Sequence, residues 1–103
     1  MINVVAMVTL VPGKRDEFLA AFRDNVAAVH AEDGCIEYAA SIDAEGLGRF
    51  QTRVGPDTVV IIEKWESVEA LKNHAAAPHM AAYAAKTKDV IASRAIHVLA
   101  PVD

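Results

Sequence analysis

The sequence has little of several things that would otherwise define a protein. It holds a single cysteine, Cys35, so no disulfide can close within the chain. A disulfide-stapled secreted scaffold is excluded, and a reducing, cytoplasmic setting is the expectation. There is no glycine-rich phosphate loop, no CxxC pair, no GxSxG elbow and no HExxH helix. The common local signatures of nucleotide, thiol-redox, acyl-transfer and zinc-peptidase sites are therefore missing. There is no basic run either: 10 Lys and Arg stand against 14 Asp and Glu, for a net charge of −4, which speaks against nucleic acid as a partner. The apolar stretch from Ile2 to Val11 is too short to span a bilayer and carries neither a basic leader nor a small-residue cleavage pattern, so no membrane association is expected.

What is present is apolar and small. The 103 residues are 53% hydrophobic and 23% charged, with twenty alanines. That composition forms a folded core, and the length predicts one domain over residues 1–103. A chain of this size has little material for a deep private cavity, so walls supplied by a second subunit are an expectation from length alone.

The pattern along the chain alternates strands and helices. Ile2–Val11 is valine-rich, lacks a helical period and stops at Pro12-Gly13, which predicts a strand. From Lys14 to about Glu32, Phe18, Phe22, Val26 and Val29 fall on one helical face, and Asp33-Gly34 supplies the stop. Cys35–Ile42 predicts a second strand, and Leu47–Val54 a short further one before Gly55-Pro56-Asp57. Thr58–Glu66 is a β-branched run between turns and predicts a central strand. Ser67 stands as an N-cap for a helix to about Ala76, Pro78 opens another running to about Lys88, and Val90–Leu99 closes the chain as a strand. Two strand–helix–strand units with so few strands predict an α+β, ferredoxin-like split βαβ sandwich. Helices cover one sheet face only. The other face is apolar too, so burial alone predicts a homodimer packed through its sheets.

A few residues could carry chemistry. Period-two alternation places Glu63 on an apolar strand face with Trp65. A strand-end glutamate reaching a Lys or Arg is the ordinary reading; a carboxylate with a raised pKa at a site of proton transfer is the functional one. Trp65 alone reads as core. His74, His79 and Tyr83 converge on an alanine-rich stretch whose small side chains leave space above the sheet, the makings of a pocket. His74 and His79 are five apart with Pro78 between them, which is not the spacing of a helical zinc pair, and no third ligand lies nearby in sequence; no metal is expected. Either histidine could serve as a base, or cap and decorate helix ends. His30 and His97 read as surface or strand-edge residues, and Cys35 as buried and inert.

Gly34-Cys35 with Tyr38, Phe50-Gln51, Ile62-Glu63-Lys64-Trp65-Glu66-Ser67, and His74 followed by Pro78-His79-Met80 and Tyr83 resemble the antibiotic biosynthesis monooxygenase family, in its quinol monooxygenase-like branch. The resemblance implies a ferredoxin-like protomer paired as a dimeric α+β barrel, and oxidation of a small aromatic quinol or phenol by O2 without metal, flavin or nicotinamide. It implies no haem, because Ala6 and Tyr83 stand where the haem-degrading branch has an asparagine and a histidine. On this reading His74 or His79 is the base, tuned by Glu63. Tyr83 and Tyr38 orient oxygens, and Trp65 with Phe50 are the flat walls against the ring. Two rival readings use the same pocket: a non-catalytic dimeric binder of a hydrophobic aromatic ligand, and an isomerase of a small signalling metabolite.

Overall fold

The computed structural model describes residues 1–103. The valine-rich start forms strand β1 (Ile2–Leu10), and the Phe18–Val29 face forms helix α1 (Arg15–His30). Strands β2 (Cys35–Ser41) and β3 (Thr58–Trp65) follow, then helices α2 (Val68–Ala75) and α3 (Pro78–Thr87) and strand β4 (Ile91–Leu99). The sheet has the order β2-β3-β1-β4 with every neighbouring pair antiparallel. Each of the two crossovers, β1-α1-β2 and β3-α2-α3-β4, thus skips one strand, which is the expected ferredoxin-like α+β arrangement. No helix is long and apolar enough to cross a membrane.

Local chemistry explains the ends. The Ser67 hydroxyl accepts a hydrogen bond from the Ala70 backbone N–H at 3.1 Å, the cap expected of it. Pro78 occupies the first turn of α3, where its missing N–H costs nothing. The expected strand over Leu47–Val54 is replaced by one turn of 3-10 helix, Gly48–Phe50. The physical reason lies in Asp43, whose carboxylate accepts from the N–H groups of Val54 and Gly55 at 2.9 Å each, so those donors are engaged in a side-chain clasp instead of a ladder.

The core lies between the sheet and the helices. Val4, Ala6, Val8 and Leu10 of β1 and Val59, Ile61 and Trp65 of β3 point into it and meet Phe18, Phe22 and Val29 of α1. The opposite sheet face, where Val5 sits beside Ile62 and Met7 beside Val60, carries half-buried apolar side chains with no helix over them. Gly34 is required on two counts: its φ is +84°, and a Cβ there would meet the Ala70 Cβ at 2.6 Å. The turn between α1 and β2 therefore presses directly on α2, and that close approach positions the site.

Candidate active site

A cavity of about 460 Å³ lies between the sheet and the α2–α3 layer. Its floor is Val4, Ala6, Val8, Ile61, Ile96 and Val98, and its roof is largely alanine methyl groups from Ala75–Ala77, Ala81 and Ala84. Sixteen of its 19 lining residues are hydrophobic, so the polar groups that enter it stand out: Glu63, His74, Arg94 and the phenols Tyr38 and Tyr83. Small residues on the helices create this space, as their sequence suggests.

Glu63 sits in the middle of the sheet, opposite Val4 on one side and Tyr38 on the other, and is 7% exposed. Its partner is neither Lys nor Arg. The Trp65 indole N–H donates to Glu63 Oε1 at 2.9 Å, and His74 Nε2 stands 3.9 Å from the same oxygen. Burial pushes the Glu63 carboxyl above the usual range; the indole hydrogen bond and His74 only partly offset this. Burial likewise raises the Tyr83 hydroxyl to about 12, partly countered by Arg94, and raises Tyr38 still further. Both phenols therefore remain neutral hydrogen-bonding groups near neutral pH.

His74 is 5% exposed and packed on two aromatic rings: Trp65 at 4.5 Å between centroids, tilted, and Tyr38 at 5.6 Å, edge-on. Its Nδ1 lies 2.8 Å from Oε2 of Glu32, the second residue beyond α1. His79 Nε2 lies 2.8 Å from that same oxygen. Because a carboxylate accepts, each imidazole directs an N–H at it. His74 thus turns Nδ1 to Glu32 and Nε2 toward Glu63. The ligand atoms of Glu32, His74 and His79 lie within 4.8 Å of one another, the one grouping in the chain with donors arranged to hold a metal ion.

The residues singled out from sequence are thus only partly brought together. His74, Glu63, Tyr38 and Tyr83 share the cavity. Trp65 does not line it: fully buried, it holds Glu63 and supports the His74 ring, so its expected place as a wall is corrected to a place behind the wall. Phe50 is corrected too, being 92% exposed on the 3-10 turn and outside the cavity lining. His79 faces Glu32 and is not among the lining residues. Sequence reasoning missed Glu32 and Arg94. Glu32 sits among polar residues before a turn, with nothing local to mark it. Arg94 was recoverable, since alternation in the last strand places it on the same face as Ile96 and Val98.

Comparison with known proteins agrees with this architecture. The family model described as antibiotic biosynthesis monooxygenase matches residues 1–86. The chain is 36% identical over 103 residues to the Escherichia coli K12 protein named "Probable quinol monooxygenase YgiN", covering 98% of each. Among solved structures, Rv0793 from Mycobacterium tuberculosis superposes with a TM-score of 0.80 at 28% identity, covering 99% of this chain and 95% of that one. PA3566 from Pseudomonas aeruginosa, at 22% identity, shares the fold with a TM-score of 0.81, covering 99% of this chain and 94% of that one. With a matching family model over most of its length, a full-length relative and the same split βαβ sheet, the chain belongs to the antibiotic biosynthesis monooxygenase family.

Proposed function

We propose that the protein oxidises a quinol or phenol with O2, the substrate itself supplying the electrons. The observation that carries this reading is a buried imidazole, His74, at the wall of an apolar cavity and held through Nδ1 by Glu32, which leaves Nε2 as the nitrogen to act on a substrate. His74 takes the phenolic proton, and Arg94 and the neutral Tyr83 hydroxyl receive the negative oxygen. A phenolate is electron-rich enough to pass one electron to O2. The resulting superoxide and phenoxyl radical then combine, forming a carbon–oxygen bond on the ring. Collapse of that hydroperoxide breaks the O–O bond: one oxygen stays on the ring as a quinone carbonyl, and the other leaves as water with the displaced ring hydrogen and a proton. One phenol and one O2 thereby give one quinone and one water, with no further reductant. The apolar lining keeps bulk water from quenching the radical pair. The match to a relative named for quinol oxidation supports this substrate class.

The active species of this reading is a homodimer, its uncovered sheet faces packed together. The uncovered face supports it: Val5 and Met7 of β1 and Val60 and Ile62 of β3 are apolar, only half-buried and without a helix over them.

Oxygen uptake by chelator-treated protein with menadiol, corrected for autoxidation, tests the activity. A rate above the blank that falls at least 100-fold in His74→Ala is expected. Uptake equal to the blank overturns the oxygenase, and turnover that persists without O2 would assign an isomerase to the same base.

A further inference from the structure

We infer that Glu32, His74 and His79 form a binding site for a divalent first-row transition-metal ion such as zinc, and that the ion switches the cavity chemistry off. The three residues come from three separate elements, the turn after α1, the last turn of α2 and the first turn of α3. They nevertheless converge on one point. Glu32 Oε2 is 2.8 Å from His74 Nδ1 and 2.8 Å from His79 Nε2, and the three candidate ligand atoms span no more than 4.8 Å.

The donor set selects the ion. Two imidazole nitrogens and one carboxylate oxygen suit zinc, cobalt, nickel, copper or iron, whereas magnesium and calcium seek shells of oxygen alone. Around a tetrahedral ion with bonds of about 2.0–2.1 Å, ligand atoms stand roughly 3.3 Å apart, so the two 2.8 Å separations must open by about half an ångström. His79 is the member free to make that adjustment, since its side chain is 30% exposed while those of His74 and Glu32 are 6% and 14% exposed. The same exposure gives the ion a route in and leaves a coordination position for water. The site is otherwise pre-built: the His74 ring is already fixed by Trp65 and Tyr38, and Gly34 holds the Glu32 turn against α2.

The inhibitory consequence rests on the reading of His74 as base. In the metal-free site Nδ1 faces Glu32 and Nε2 faces Glu63, and it is through Nε2 that the proposed base would act. An ion bound at Nδ1 occupies that nitrogen, and the neutral imidazole then carries its hydrogen on Nε2. The same ring cannot accept a phenolic proton in that state. The metal therefore competes with the proton acceptor without entering the cavity.

The test is a titration of chelator-treated protein with Co(II), read by its visible ligand-field bands, with Zn(II) displacing it and Mg(II) as a control. One Co(II) per chain with intense low-symmetry bands, displaced by Zn(II) and indifferent to Mg(II), is expected. His79→Ala should weaken binding at least tenfold with an unchanged circular dichroism spectrum, and His79→Cys, which restores a soft ligand, should recover most of the affinity. Absent bands, binding that Mg(II) matches, or full affinity in His79→Ala would overturn the site. Menadiol oxidation measured beside the titration should fall in step with Zn(II) occupancy. Occupancy at full oxidation rate overturns the inhibitory role, while absence of oxidation in metal-free protein counts against the oxygenase alone, because the cobalt spectrum is read without turnover.

Discussion

His74 Nδ1 lies 2.8 Å from Glu32 Oε2 although 42 positions of chain separate the two residues. The contact orients the ring, with Nδ1 at Glu32 and Nε2 toward Glu63. Glu32→Gln keeps the size of the side chain but replaces a double acceptor with an amide that holds one ring less firmly. A fall in kcat of about 10- to 100-fold is expected with KM changed less than threefold, since the substrate does not touch Glu32. Steady-state oxygen consumption checks it; an unchanged kcat would remove Glu32 from the proposed chemistry.

Gly34 is where packing and chemistry meet. Its φ of +84° and the 2.6 Å approach that a Cβ would make to Ala70 both oppose any side chain. Gly34→Ala should cost about 1–3 kcal/mol of stability, by left-handed strain and by displacement of the turn. It should also lower activity measured at temperatures where the variant is still folded, because Glu32 moves with the turn. Chemical denaturation alongside oxygen uptake reads both effects, and wild-type activity in a destabilised variant would separate them.

The Asp43 clasp makes a pH prediction. The hydrogen bonds from Val54 and Gly55, aided by Arg53, hold its carboxyl below the ordinary value of 3.8. A depressed carboxylate binds fewer protons folded than unfolded, so its stabilisation is complete above the ordinary value and is lost as pH falls through the folded one. Asp43→Asn should therefore lower Tm at pH 7 and make no difference at the acid end of a pH series. Equal Tm values for the two proteins at pH 7 would mean that the clasp does not hold the loop.

The uncovered sheet face predicts association. Val5 and Ile62 are paired neighbours at its centre and only half-buried in the single chain. Val5→Glu should halve the mass seen by light scattering, because a buried unpaired carboxylate opposes face-to-face packing. A wild-type chain that already scatters as 11.0 kDa would refute the dimer.

Much of the fold was readable in the sequence. The Val-rich runs, the Phe18–Val29 stripe, the Ser67 cap and Pro78 each act locally, and local rules decoded them. The Leu47–Val54 strand failed because its last donors answer to Asp43, a side chain eleven residues upstream of Val54. Within the site, Glu63 was conspicuous as a charge on an apolar face, and the alanines advertised space. Trp65 was placed on the right face but not at the right depth, since alternation fixes direction and says nothing of what a helix lays on top. Glu32 had no local signature: its role exists only after two crossovers bring α1, α2 and α3 together.

Those split crossovers bear on how the protein comes to be active. Each skips a strand, so β1 cannot pair with β3 or β4 until most of the chain has been made, and closure of such distant contacts is the slow part of folding. The Glu32–His74–His79 junction, spanning residues 32 to 79, has no counterpart in a half-folded chain. A nascent or partly unfolded molecule therefore lacks the site on which the proposed oxidation depends, and that activity would arrive only with the completed fold.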